Sequence, residues 1–166
     1  MTDPDYLEWP LGRFLDELAT GEPAPGGGAA AAAAVALAAG LTAMAARLSA
    51  KQVPDAPALA AQADALRARV APLAQADADA YTEVLAAYAA PRDPRRVGLI
   101  QAALAKATAV PRAVAEVGAE VVKLAERLAQ EGNPNLRGDA VAASLLADTG
   151  ARIAANLADI NTAAGQ

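Results

Sequence analysis

The segment "GEPAPGGGAAAAAAVALAAGLTAMAARLSA", Gly21–Ala50, decides the fold of this chain. Two prolines and three successive glycines make a turn, and the residues after them read as one long helix. Ala29 to Ala46 contains a single polar residue, Thr42. A run of this length stands at the lower limit for a bilayer span. It is built of alanine rather than Leu, Ile or Phe, and no aromatic belt flanks it. It therefore reads as the buried helix of a soluble bundle. The glycines are unexpected there, because Gly loses more conformational freedom on folding than any other residue. Two readings are open. Bare backbone at a helix start exposes N–H groups at a positive helix end, which favours an anion or a carbonyl oxygen. Alternatively, a neighbouring helix crosses so closely that a Cβ would clash.

The whole chain, residues 1–166, has the size of one domain. Hydrophobic residues make up 55% but aromatics only 3%, so alanine carries much of the apolar count. Small side chains bury little area each, which predicts closely packed helices and a homodimer that adds buried surface. Cysteine and histidine are absent. Disulfides, thiolate metal centres and cysteine nucleophiles are excluded, and so is the usual general base. Proton chemistry falls to Asp, Glu, Lys, Tyr or the backbone. The net charge of −5 and the lack of a basic stripe speak against nucleic acid. The start, "MTDPDYLEWP", is polar and acidic, unlike a signal peptide. A cytoplasmic protein without a membrane partner is expected.

Apolar residues at helical spacing, punctuated by Gly and Pro, predict five helices. They run over Trp9–Ala19, Gly27–Ala50, Pro57–Ala89 with a kink at Pro72, Arg95–Gln130 with an interruption at Pro111, and Asp139–Leu157. No run alternates with period two, so no strand is expected. The fold class is all-α, an antiparallel bundle of about five long helices, some kinked at prolines.

Several polar residues stand out against this pattern. Val70, Leu73, Asp77, Tyr81, Val84 and Tyr88 recur at spacings of 3 or 4, on one stripe that is apolar except for Asp77. An acid on a buried face is costly unless paired. Burial would raise its pKa toward neutrality and suit it to proton transfer; a salt bridge to a neighbouring helix is the alternative. Asp139, after Gly138, reads as an N-cap or as a site residue. Lys51 complements the dipole at the end of the second helix. Lys106 is a lone charge in "AALAKATAV", either snorkelling at the surface or binding an anion.

Four segments then occur in an order that carries a resemblance: "FLDELATGEPAPGGGAAAA" (Phe14–Ala32), "DADAYTEVLAAYAAP" (Asp77–Pro91), "ALAKATAVP" (Ala103–Pro111) and "LAERLAQEGNPNLRGDAVAASLLA" (Leu124–Ala147). Over about residues 10 to 161 the chain resembles the cyclodeaminase/cyclohydrolase family of folate enzymes. The resemblance implies an all-helical homodimer with a folate site near the glycine turn and the loop before the last helix. It implies either hydrolysis of 5,10-methenyltetrahydrofolate to 10-formyltetrahydrofolate, or closure of 5-formiminotetrahydrofolate with loss of ammonia. It implies no metal and no redox cofactor. On it, Asp139 and Asp77 are the expected catalytic acids, and Gly26, Gly27, Gly28, Lys51, Tyr81, Lys106 and Asn135 the expected substrate-binding residues. Asp139 is expected to face the same cavity as the glycines. The chain departs from the family pattern at four places, one of them a shortening of the lysine-bearing stretch around Lys51. Ala29 follows the glycines where Ser is usual, Gly138 precedes Asp139 where Ser or Thr is usual, and "RLS" (Arg47–Ser49) stands for Asn-Leu-Thr. A relative that binds a folate-like ligand with altered catalysis, or a helical interaction protein, is the alternative reading.

Overall fold

A computed structural model describes residues 5–165; the polar residues 1–4, which open the chain, lie outside the described residues. Six α-helices follow in order: α1 (Leu11–Leu18), α2 (Gly27–Arg47), α3 (Ala56–Val70), α4 (Leu73–Ala89), α5 (Arg95–Glu131) and α6 (Arg137–Ala164). Short 3-10 turns precede α1 (Tyr6–Glu8) and α6 (Pro134–Leu136). Among the described residues there is no strand. The all-α fold class stands.

The alanine helix α2 is the centre of the molecule, with α3, α5 and α6 packed along it and α4 against its N-terminal end. Its buried residues, from Gly28 to Ala46, are almost all Gly or Ala. The small side chains let the helices come close. A Cβ on Gly150 of α6 would stand 2.7 Å from Val35 Cγ2 and 3.0 Å from the Ala31 carbonyl oxygen. A Cβ on Gly118 of α5 would meet Ala151 Cβ at 2.8 Å. These two glycines serve the crossings of α2, α5 and α6. By length and composition α2 could cross a membrane, but 56% of that window is buried inside the bundle.

Prolines act differently from expectation at both interior positions. Around Pro72 the predicted third helix is interrupted into α3 and α4, with Ala71 and Pro72 between them still in right-handed helical backbone. Pro72 has no N–H to continue the ladder, and the chain turns at Ala71 and Pro72. The polar–apolar stripe drawn through this region is therefore not continuous. Val70 and Val84 are buried, Leu73 and Asp77 are half-buried, and Tyr81 and Tyr88 are exposed. At Pro111, in contrast, α5 runs on without interruption. The proline orphans the carbonyl of Ala107, four residues earlier. Asn161 of α6 replaces the missing donor, its Nδ2 giving a hydrogen bond to the Ala107 oxygen at 2.7 Å. Replacing Asn161 with Ala should cost about 1–2 kcal/mol, the penalty for leaving a partly buried acceptor unpaired; urea unfolding of the two proteins measures it.

α1 begins two residues later than predicted and is only loosely joined to the bundle. None of its residues is fully buried, and Leu11 and Leu15 face outward. It is held by an aromatic cluster in which Tyr6 meets Trp9 at 4.7 Å and Phe14 at 5.6 Å, with Arg13 stacked over Trp9. The Tyr6 N–H donates to Gln75 Oε1 at the start of α4. α6 runs from Arg137 to Ala164, longer than predicted at both ends.

Candidate functional site

The three glycines have separate surroundings. A Cβ on Gly26 or Gly27 would meet nothing closer than 3.8 Å. A Cβ on Gly28 would fall on the carboxylate of Asp77. The third glycine is thus bare because α4 lays an acid across the first turn of α2. The backbone N–H of Ala29, one of the free donors of a helix start, faces this carboxylate and favours its charged form. Burial raises the Asp77 pKa above the ordinary aspartate value, and the Ala29 N–H opposes this less strongly. Among the described residues no cation contributes, so the salt-bridge reading of Asp77 is set aside there. Tyr81 follows one helical turn later on the same face of α4, 44% exposed. Gln75, two residues before Asp77, bonds Asp79 and ties the aromatic cluster to this end of the bundle.

Asp139 lies elsewhere. α6 runs antiparallel to α2: Leu157 stands beside Gly27, and Gly150 stands beside Ala31 and Val35. The turn before α6 meets the opposite end of α2, where the Asn133 N–H donates to Ser49 Oγ at 2.9 Å and Asn133 Nδ2 donates to the Leu48 oxygen at 3.2 Å. Eighteen residues of helix separate Asp139 from Leu157, about 27 Å at the α-helical rise. Within one chain Asp139 and the glycine turn therefore do not share a cavity, contrary to expectation. A single helix of this length holds its two ends apart. Asp139 is also not an N-cap; it is the third residue of α6, where its charge suits the helix dipole without a capping bond. Leu136 stands at the N-cap position of α6 and gives no side-chain bond; Asn133 caps the 3-10 turn before it, its Oδ1 accepting from the Asn135 N–H at 3.1 Å.

The remaining candidates divide between these places. Lys51, in the exposed turn after α2, and Asn135 belong with Asp139. Lys106 is on the surface of the α4–α5 pair and bonds Glu83 at 2.7 Å, both side chains well exposed. That pairing gives the lone charge a partner within its own helix pair. Ser49 and Asn133 were missed by the sequence reading. The only signal for Ser49 was its place in the "RLS" departure.

One surface joins the two ends. Along α2, Ala30, Ala34, Leu37, Leu41, Met44 and Leu48 fall at helical spacing, and none of them is buried. Leu37 is 61% exposed. On α6, Leu145 (63% exposed), Leu146, Ile153 and Ile160 are likewise uncovered. α6 packs on α2, so helical periodicity sets the two stripes side by side, with Asp139 at the edge of the α6 stripe.

Similarity to known proteins agrees with this architecture. Residues 10–165 match the family described as formiminotransferase-cyclodeaminase. The chain is 37% identical over 153 residues to the methenyltetrahydrofolate cyclohydrolase of Methylorubrum extorquens, covering 86% of this chain and 74% of that protein. Its fold matches the crystal structure of formiminotetrahydrofolate cyclodeaminase from Thermotoga maritima with a TM-score of 0.86 and 28% identity, over 95% of this chain and 80% of that one. A chain of five long helices with an acid laid over a glycine-bearing helix start thus falls in a class of helical folate enzymes. The protein belongs to the formiminotransferase-cyclodeaminase family, as the sequence resemblance implied.

Proposed function

We propose that the protein is a methenyltetrahydrofolate cyclohydrolase of the cytoplasm, acting as a homodimer with Asp77 as its general base. The observation that carries this is the Asp77 carboxylate, half-buried, without a cation partner among the described residues, and seated on the first turn of α2. The substrate is a cation whose charge is spread over the carbon between N5 and N10. A carboxylate lacking its own counter-ion complements that charge. Its raised pKa brings it closer to the range in which it can take a proton from water.

In the reaction, water adds to the bridging carbon as Asp77 removes its proton, giving a neutral tetrahedral adduct. The adduct collapses with cleavage of the bond to N5, which takes up a proton, and 10-formyltetrahydrofolate leaves. One proton is released overall. In this reading the N–H groups of Gly27 and Gly28, at the start of α2, hold the oxygen as charge develops on it. These steps use side-chain and backbone groups alone.

The uncovered α2 and α6 stripes support the homodimer, since a contiguous apolar face of this kind marks an interaction surface. A two-fold that pairs each α2 antiparallel with its copy sets the Gly28 and Asp77 end of one subunit against Lys51, Asn135 and Asp139 of the partner subunit. The composite site would restore the proximity that a single chain lacks. Cyclodeamination of 5-formiminotetrahydrofolate is the second reading, supported by the fold match to the Thermotoga enzyme; the same acid would serve the departing ammonia. Purified protein should discharge the methenyltetrahydrofolate chromophore faster than buffer and yield the 10-formyl product. Ammonia release from the formimino compound, with an unchanged methenyl chromophore, would assign the deaminase instead. Neither reaction would overturn both.

A further inference from the structure

We infer that Ser49 is a positioning residue, whose buried hydroxyl fixes the turn before α6 and through it the placement of Asn135 and Asp139. The inference rests on the reading that those two residues belong to the folate site. Three hydroxyl side chains are buried among the described residues: Thr42, Ser49 and Thr108. Thr42 and Thr108 donate only to the carbonyl four residues back in their own helices. Ser49 does this too, donating to the Ala45 oxygen at 2.7 Å, but it also accepts the Asn133 N–H. It is the one that reaches another segment of the chain.

The turn is shaped around this hydroxyl. A Cβ on Gly132 would fall on the Leu128 oxygen and stand 2.8 Å from Ser49 Oγ, so the backbone passes directly over Ser49. Asn133 then holds the Leu48 carbonyl with its amide nitrogen and the Asn135 N–H with its amide oxygen. Its own carbonyl accepts from the Leu136 N–H at 2.9 Å. The polar groups of Asn133 are thereby committed to orienting a short turn, and α6 starts at the next residue, Arg137. The Ser that replaces Thr in "RLS" keeps the one hydroxyl this geometry uses. Asn135 itself remains exposed, its backbone N–H held by Asn133.

The test compares wild type, Ser49→Ala and Ser49→Thr for methenyltetrahydrofolate hydrolysis, melting temperature and hydrogen exchange at the Asn133 amide. Ser49→Ala should lose Asn133 protection and about 100-fold in kcat, as expected when a reacting group is misplaced by about 1 Å, with KM little changed. Ser49→Thr should restore both. Wild-type kcat in Ser49→Ala, or failure of Ser49→Thr to restore it, overturns the inference. Should Ser49→Ala not fold, Ser49→Cys keeps the side chain's shape but offers the Asn133 N–H only a weak sulfur acceptor, and a normal kcat there alongside lost Asn133 protection overturns it equally. An inactive wild type would instead sink the functional reading.

Discussion

Replacing Asp77 with Asn should lower kcat for methenyltetrahydrofolate hydrolysis by about 10²–10⁴-fold, the usual worth of a general base, without lowering stability. Asn keeps an oxygen facing the Ala29 N–H and loses the charge. The sign of the stability effect follows from the shift. Burial raises the native pKa of Asp77 above its unfolded value, so between those two values the native state binds more protons than the unfolded one. Stability then falls as pH rises through that window and stays reduced above it. Asn carries no such penalty, so its melting temperature at neutral pH should equal or exceed that of wild type. The pH profile offers a second readout. Wild-type kcat/KM should fall as pH drops through the raised Asp77 pKa, and the residual rate of Asp77→Asn should lack that limb. An Asp77→Asn enzyme of near-normal rate would remove Asp77 from the chemistry.

Gly28→Ala should be nearly as damaging, and Gly27→Ala should not. At Gly28 the added methyl takes the space of the Asp77 carboxylate. The atoms displaced are the end of a side chain, which can swing away at small cost to folding. The same swing takes the carboxylate off the Ala29 N–H and out of its reacting position, where displacement of about 1 Å costs on the order of 100-fold in rate. At Gly27 the methyl meets only Leu157 Cδ1 at 3.8 Å, an ordinary contact. Loss of unfolded-state freedom there should stabilise the protein by about 0.4–1 kcal/mol. Steady-state rates and urea midpoints of the two variants measured together separate these effects. Equal activity in both would show that the seat of Asp77 on α2 does not matter to catalysis.

The helices could be read from the sequence because alanine runs, Gly and Pro are strong local signals. Position along the chain also marked Asp77 and the glycine turn as special. Two things could not be read. The first was which glycine mattered: Gly26, Gly27 and Gly28 look alike in sequence, and only the approach of α4 singles out the third. The second was the separation of Asp139 from the turn. It depends on α6 running antiparallel to α2, a tertiary relation that motif order does not encode. Prolines misled in opposite directions for the same reason. Pro111 is accommodated by Asn161, a residue fifty positions away, whereas the helix is interrupted at Pro72. Ser49 was overlooked because a serine near a helix end has many uses, and its partner Asn133 is distant in sequence.

The central claim is that each site takes Asp77 from one subunit and Asp139 from the other. Heterodimers of Asp77→Asn with Asp139→Asn, isolated by two different tags, test it directly. Each homodimer should be inactive. In the heterodimer a shared site places both substitutions in one site and neither in the other, so about half of wild-type activity should return, one intact site of two in a two-fold dimer. A folded heterodimer as inactive as its parents would place both acids in the same chain's site, or outside the site altogether, and would contradict the account.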